Sequence, residues 1–308
     1  MVAELQYKIL KGLMAFLFFA FNILFDKILN KIIINYMINL LNCGVSLNNM
    51  LLKDSIFIFG YEIKFYGIII ATAMLIAIFM ARRLAVKREI NPDEIFTLAL
   101  FVIPAAILGA RIYYCVFSEH SYTFTEFWNL RQGGIAIYGG VIGGIVGIIL
   151  YCLVKRNLKL IPVLFDIAVP VLIFAQALGR WGNFFNQEAY GTIITNPKWQ
   201  WFPFGVYIDD VQEWHLATFF YESMLNLVGT VVLLIIFYKS KKTGTTTAGY
   251  LIYYGAVRFF VEGLRTDSLY IGNSSIRVSQ ALSLIMVVIG IGILVYNSIK
   301  RKKSVKNN

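Results

Sequence analysis

The stretch LIPVLFDIAVPVLIFAQALGRWGNFFNQEAYG, from Leu160 to Gly191, joins an apolar run directly to a polar one. Residues 160–178 are long and apolar enough to cross a bilayer. The polar part places the Arg180 guanidinium and the Glu188 carboxylate where the hydrocarbon ends. Ionisable groups at membrane depth are costly and mark functional sites by default. Because arginine can bind phosphate through two parallel hydrogen bonds, this segment predicts a site for a lipid headgroup.

The composition of the whole chain is that of an integral membrane protein. Of its 308 residues, 58% are hydrophobic and 15% are charged, which is too apolar for a soluble domain of this size. The three cysteines, Cys43, Cys115 and Cys152, are widely spaced and form neither a disulfide framework nor a metal-ligand pattern. With two histidines and no cofactor motif, we expect no metal and no cofactor.

The net charge of +11 is concentrated in short basic segments. They are Arg82–Arg88, Lys155–Lys159, Lys239–Lys242 and Lys300–Lys306. The connections between these segments are neutral or acidic, as at residues 119–126 and 209–213. This alternation is the positive-inside pattern of membrane proteins, and it argues against nucleic-acid binding.

Hydrophobic runs of membrane-spanning length predict an all-α, polytopic membrane bundle of seven transmembrane helices. The runs are 62–82, 94–117, 133–154, 160–178, 216–238, 247–264 and 277–298. Basic segments follow the first, third, fifth and seventh runs, so the C-terminus should be cytoplasmic. Residues 179–215 should then form a small head segment on the outer face, and residues 299–308 a basic cytoplasmic tail. The Asn196-Pro197 and Phe202-Pro203 steps predict turns in the head segment.

The segment before the seven-span domain (residues 58–298) is a hydrophobic extension, residues 1–57. Residues 9–25 are apolar but short. They fit either an eighth span or, together with residues 31–41, an interfacial helix pair. No small-residue cleavage site follows residue 25, which argues against a signal peptide.

The sixth run carries Tyr254, Arg258, Glu262 and Arg265 at spacings that predict one shared helix face. Arg258 and Glu262 can pair, which lowers the cost of burying either charge. Two interpretations remain open. The pair either locks helix packing, or it holds a second arginine that faces the same polar cavity as Arg180.

The third run begins with QGGIAIYGGVIGG, from Gln132 to Gly144. Its glycines either allow close helix packing or leave Tyr138 accessible where the backbone is thin. Other runs also hold polar residues, and each of them taken alone favours a structural role. They are Tyr66, Arg111, Asp166, Tyr221 and Glu222. Taken together, these groups predict a bundle that encloses a polar, lipid-sized cavity.

These residues together resemble the prolipoprotein diacylglyceryl transferase family from about Ile58 to Leu294. GRWGNFFNQEAYG is similar to the signature segment of that family, and QGGIAIYGGVIGG and YGAVRFFVEGLR are similar to two further blocks in the same order. The resemblance implies seven spans in the bacterial cell membrane with a cytoplasmic C-terminus. The charge pattern predicts the same topology independently.

The resemblance also implies an activity without cofactor or metal. The diacylglyceryl group of phosphatidylglycerol moves to the lipobox cysteine thiol of a prolipoprotein, and glycerol phosphate leaves. Arg180 and Arg258 would be the catalytic arginines beside the phosphate, with Tyr138 and Tyr66 as further catalytic residues. The predicted substrate-binding positions are Arg180, Asn183, Glu188, Gly191, Tyr254, Glu262 and Arg265.

The sequence departs from the family pattern at two positions. Some relatives carry histidine where this chain has Tyr138, and a tyrosine with a pKa of about 10 is a weak base at neutral pH. We therefore favour a hydrogen-bonding role for Tyr138 and keep the base as the alternative. A His-Pro pair often precedes the Tyr-Glu of the fifth span in the family; here the histidine, His215, is displaced and the proline is absent, so His215 receives no role.

A transporter of an anionic substrate is the competing function, with Arg258 and Glu262 as its binding or proton-relay pair. Transporters often contain paired broken helices in two related halves, and the unusual segments of this chain do not pair in that way. A lipid-headgroup hydrolase would need an activated water, for which the sequence offers no metal cluster.

Overall fold

A computed structural model describes residues 55–58, 61–118, 120, 122–129, 133–266, 268, 270, 274 and 276–306. The apolar segments 9–25 and 31–41 lie outside the described residues. The chain divides into two compact units, one ending at Ile68 and one beginning at Ile69. In the first unit, β1 (Ser55–Ile58) pairs antiparallel with β2 (Tyr61–Lys64), and the first long helix begins at Phe65.

Seven long helices make up most of the described chain. They are α1 (Phe65–Lys87), α2 (Glu94–Phe117), α3 (Ile137–Val154), α4 (Ile161–Phe185), α5 (Thr218–Lys239), α6 (Thr245–Leu264) and α7 (Val278–Lys306). All except α6 are long and apolar enough to cross a membrane, which makes 6 candidate spans. The hydropathy of α6 is lowered by its threonines and by Arg258 and Glu262. The polytopic helical membrane fold is thus confirmed, while the count of seven spans stays a prediction.

The structure corrects two predictions about residues near helix ends. Helix α4 continues to Phe185, so Arg180 and Asn183 lie in its last turns and not in the head segment. Helix α6 ends at Leu264, and Arg265 has an extended backbone with φ −81° and ψ 149°. Arg265 therefore does not share the helix face of Tyr254. Its backbone instead forms an isolated β-bridge with Gly191.

Helices α2 and α3 pack closely along a stripe of glycines. A Cβ atom on Gly143 would lie 2.1 Å from the carbonyl oxygen of Ala105, and one on Gly139 would lie 2.3 Å from that of Gly109. Gly147 faces α2 in the same way. Any larger side chain at these positions would separate the two helices, so close packing is the role of these three glycines.

Helices α4, α5 and α6 pack against one another, and α7 packs against α6. Their shared core contains Val169, Ile173, Leu233 and Tyr250. At one end of this group Asp166 is fully buried and accepts hydrogen bonds from the backbone N–H of Gly244, at 2.7 Å, and of Thr247, at 2.8 Å. A carboxylate at a helix N-terminus stabilises the unpaired N–H groups there, so Asp166 holds α6 against α4.

The segment between α4 and α5 is built on a small hairpin that the sequence analysis did not predict. Strand β3 (Gly205–Ile208) pairs antiparallel with β4 (Glu213–Leu216). The predicted turn at Asn196-Pro197 is confirmed, since Pro197–Trp199 forms a short 3₁₀ helix. The Trp199 and Trp201 side chains are 43% and 46% exposed, which leaves them free to enter a headgroup layer.

Candidate active site

Three helices bring two arginines onto one carboxylate. Arg180 comes from the last turns of α4, Glu222 from the first turns of α5, and Arg258 from the second half of α6. Oε1 of Glu222 lies 3.0 Å from Nη2 of Arg180, and Oε2 lies 3.0 Å from Nη1 of Arg258. The two arginines predicted to act at the phosphate therefore meet. Glu222, for which the sequence pattern favoured a structural role, joins them.

Glu262 completes the charge balance of this cluster. Its Oε2 lies 2.6 Å from Nη2 of Arg258, which confirms the predicted ion pair. The Glu222 and Glu262 side chains are 2% exposed, against 13% for Arg180 and 14% for Arg258. Two guanidiniums and two carboxylates sum to zero charge, and paired charges of this kind can be buried where single ones cannot. Arg258 and Glu262 on α6 thus belong to a network of four charged residues, which is more than a pair that fixes helix packing.

Tyr254 lies beside this network, one turn before Arg258 on α6. It interacts with Glu222, Arg180 and Arg258. Its ring is stacked on that of Tyr250, with centroids 5.3 Å apart and planes 5° from parallel. Tyr254 is therefore in the site, as the resemblance implies, and its part in binding substrate stays a prediction.

A chain of polar side chains leads from Arg180 to the end of α4. Nη1 of Arg180 donates to Oδ1 of Asn183 at 3.2 Å, and Nδ2 of Asn183 donates to Oε1 of Glu188 at 2.8 Å. Glu188 also accepts from Nδ2 of Asn186 at 3.3 Å, and its side chain is exposed. Two of the predicted substrate-binding residues, Asn183 and Glu188, thus form a continuous path to the first arginine.

Gly191 is where the head segment joins the helix bundle. Its N–H donates to the carbonyl of Leu216 at 2.9 Å, and its backbone forms a β-bridge with Arg265. A Cβ atom here would lie 2.8 Å from that of Leu216, so glycine permits this close approach.

His215 Nδ1 lies 2.8 Å from the carbonyl oxygen of Gly191 and must be the donor, because a carbonyl only accepts. His215 thus has a structural partner, in keeping with the absence of an assigned role.

Tyr138 is joined to α7 by a residue that the sequence analysis missed. Its hydroxyl lies 3.0 Å from Oγ of Ser279, which is 8% exposed. Tyr138 also lies within electrostatic range of Arg258. A serine at the start of an apolar run carries no distinctive signal in sequence, so only the tertiary structure reveals this contact.

Tyr66 lies in the first turn of α1, within the first compact unit, and its catalytic role stays a prediction.

Arg111 holds the connection that leads into α3. Its side chain is buried and donates to the carbonyls of Phe127 at 2.8 Å and Glu126 at 2.6 Å, and of Gly133 and Gly134, both at 2.9 Å. Gly134 has φ +77°, and a Cβ atom there would lie 2.3 Å from Nη1 of Arg111. Arg111 therefore has a structural role, and it fixes the segment from which Tyr138 follows.

A capping box explains why two of these carbonyls are presented to Arg111. Oγ1 of Thr123 accepts from the N–H of Glu126, while Oε2 of Glu126 accepts from the N–H of Thr123 at 2.8 Å. These reciprocal bonds start the one-turn helix Phe124–Phe127. The hydrogen bonds from Thr123 also lower the pKa of the Glu126 carboxyl below its ordinary value.

Comparison with known proteins agrees with this arrangement of motifs. The model of the family described as prolipoprotein diacylglyceryl transferase matches residues 54–296. The chain belongs to this transferase family. The match spans all seven long helices up to residue 296 and every residue of the arginine–glutamate network, so the resemblance inferred from three sequence blocks is confirmed.

Several relatives carry the name phosphatidylglycerol–prolipoprotein diacylglyceryl transferase. One from Clostridium perfringens is 42% identical over 252 residues, covering 79% of this chain and 94% of the relative. One from Streptococcus agalactiae is 40% identical over 245 residues, covering 77% and 92%. One from Enterococcus faecalis is 40% identical over 266 residues, covering 80% and 95%. The chain therefore contains nearly the full length of these transferases.

Proposed function

We propose that this family member transfers the diacylglyceryl group of phosphatidylglycerol to the lipobox cysteine thiol of prolipoproteins in the bacterial cell membrane. Glycerol phosphate is the product that leaves. The observation that carries the proposal is the convergence of Arg180 and Arg258 on Glu222 inside a bundle of apolar helices. Family membership and the names of the relatives support the same activity.

The chemistry of transfer makes specific demands on such a site. The thiol sulfur attacks the glycerol carbon that bears the phosphate, the carbon–oxygen bond breaks, and its electron pair stays on the phosphate oxygen. Guanidinium groups held in place by buried carboxylates stabilise that growing charge in a water-poor interior. The thiol has an ordinary pKa of about 8.5, so a base or a positive field must favour its thiolate form. The nucleophile belongs to the substrate, and the enzyme supplies position and charge.

The transporter alternative rests on the Arg258–Glu262 pair alone. That pair is joined through Glu222 to Arg180, which lies in the segment that resembles the transferase signature. The family and its named relatives are transferases. We therefore retain transfer as the proposed function.

The direct test supplies the purified protein with labelled phosphatidylglycerol and a lipobox peptide. We expect the labelled diacylglyceryl group to appear on the peptide and glycerol phosphate to appear in equal amount. A peptide with serine in place of the lipobox cysteine should remain unlabelled. Release of glycerol phosphate without any peptide would instead indicate a headgroup hydrolase, and no lipid turnover at all would contradict the proposal.

Tyr138→Phe should lower turnover about tenfold, the usual effect of losing one hydrogen bond to a reacting group, and Tyr138→His should remain active. The measurement is transfer rate against pH for the three proteins, with Tyr296→Phe as a control for the same change at the exposed end of α7. If Tyr138 is instead the base, the phenylalanine variant should be almost inactive. The histidine variant should then shift the profile toward an imidazole pKa of about 6.5. An unchanged rate in Tyr138→Phe would leave the side chain a packing role only.

The head segment should face outside and the basic segments should face the cytoplasm. In a variant without native cysteines, a cysteine at Lys198 should react with a membrane-impermeant maleimide in intact cells. A cysteine at Lys241, which follows α5 in a basic segment, should react only after the cells are opened. The reversed result would overturn this topology and the access route for secreted precursors.

A further inference from the structure

Glu222 has no role in the resemblance, yet it is the centre of the charged network. One carboxylate oxygen serves each arginine at 3.0 Å, and the side chain is 2% exposed. Two oxygens of one anion that contact two guanidiniums reproduce the pattern that the non-ester oxygens of a phosphodiester offer. Glu222 therefore lies between two guanidiniums that would also attract the phosphate of a lipid.

The backbone beside Glu222 is fixed to the helix that carries Arg180. Nε1 of Trp181 donates to Oγ of Ser223 at 3.1 Å, and that hydroxyl donates to the carbonyl of Ala177 at 2.8 Å. Trp181 follows Arg180 in sequence, and Ser223 follows Glu222. These buried bonds set the register of α4 against α5 next to the ion pair, so the location of the carboxylate is determined by packed helices.

The charges of the neighbours explain why the arginines need this carboxylate. Arg258 has a second anionic partner in Glu262, whereas the hydrogen bond from Arg180 on its own helix goes to Asn183, which is neutral. Without the Glu222 charge, the two guanidiniums would share one remaining carboxylate in this network, that of Glu262, which contacts Arg258. Like charges in a low-dielectric interior repel strongly, and the guanidiniums would separate or reorient.

We propose that Glu222 is a positioning residue that holds Arg180 and Arg258 on one anion through an ion pair to each and gives up both arginines to the lipid phosphate when it binds. The inference rests on the proposed function and adds a competition to it. Because the carboxylate and the phosphate seek the same donors, removing the carboxylate charge should strengthen lipid binding. The same change should slow the reaction, since the arginines are no longer preorganised for the charge that develops.

The experiment compares Glu222→Gln and Glu222→Asp with the unaltered full chain, with initial rates measured against phosphatidylglycerol content at saturating lipobox peptide. We expect kcat of Glu222→Gln to fall about a hundredfold while KM for the lipid falls. Glu222→Asp keeps the charge but is too short to reach both arginines, so its kcat should fall without a lower KM. Glu94→Gln is the matched control. Its carboxylate contacts Tyr151 at 2.7 Å and Lys155 at 3.3 Å near a basic segment, and its kinetics should be unchanged.

A folded Glu222→Gln protein with the kcat of the unaltered chain would overturn the proposal. A raised KM with unchanged kcat would also overturn it, because it would show direct contact with bound lipid in place of arginine positioning. If the glutamine variant does not fold, the aspartate variant decides, and a normal kcat there overturns the proposal. Measuring lipid binding without peptide separates this inference from the proposed function. Absence of peptide labelling by the unaltered chain would contradict the proposed function. Failure of Glu222→Gln to bind phosphatidylglycerol more tightly would contradict the competition between the Glu222 carboxylate and the lipid phosphate.

Discussion

Replacing either Arg180 or Arg258 with alanine should lower the rate of diacylglyceryl transfer by at least about a hundredfold. Each guanidinium lies 3.0 Å from the Glu222 carboxylate, where a preorganised donor can meet the charge that develops on the leaving phosphate. Lysine should restore little activity, because its point charge lacks the planar fork that lets Arg258 serve Glu222 and Glu262 together. The measurement is the initial rate of label transfer to a lipobox peptide by purified, folded protein.

Arg82→Ala is the control for the arginine substitutions. Arg82 forms an ion pair with Asp93 at 2.7 Å, and the Asp93 side chain is 74% exposed. Exposed pairs of this kind contribute little to stability, and Arg82 does not belong to the ion pairs that join Arg180, Arg258, Glu222 and Glu262, so activity should be close to normal. Near-normal activity in a folded Arg180→Ala protein would remove the phosphate-binding interpretation of that residue.

Arg111→Met should cause the largest loss of stability, because it leaves four backbone carbonyls without their buried donor. Each of these carbonyls that stays buried without a donor costs about 1–3 kcal/mol, so the connection between α2 and α3 should open. We expect a clearly lower Tm in detergent and new protease cleavage between residues 118 and 136. Transfer should fall in parallel, since Tyr138 directly follows this connection.

Stability and turnover together distinguish Arg111 from the arginines of the charged network. Arg180→Ala should lose turnover while the connection between residues 118 and 136 keeps its protease resistance, whereas Arg111→Met should lose both turnover and the resistance of that connection. Arg111→Lys should be intermediate, because an ammonium keeps the charge but cannot reach all four carbonyls. A normal Tm and an intact connection in Arg111→Met would show that other contacts hold this segment.

The helical membrane fold was predictable because its determinants are local. A bilayer fixes the length of a span, and a helix satisfies every backbone hydrogen bond within its own segment. Runs such as 94–117 therefore identify α2 without knowledge of any neighbour. The end of α4 was less predictable, because the polar residues after Leu178 end the apolar run, and the carboxylate that pairs with Arg180 lies on another helix. The β3–β4 hairpin was missed for a related reason: its pairing joins residues across a turn with no strong sequence pattern.

The individual polar residues of the site were recognisable because an ionisable group is expensive in hydrocarbon wherever it occurs. Arg180, Arg258 and Glu262 were identified on that ground. Sequence position does not record which groups meet, and here Glu222 joins two arginines from separate helices. The sequence by itself thus determined the spans and the charges to be buried. Only the tertiary structure decided that one buried carboxylate balances both arginines, because electrostatic pairing depends on distance in space, and that distance is set by how α4, α5 and α6 pack.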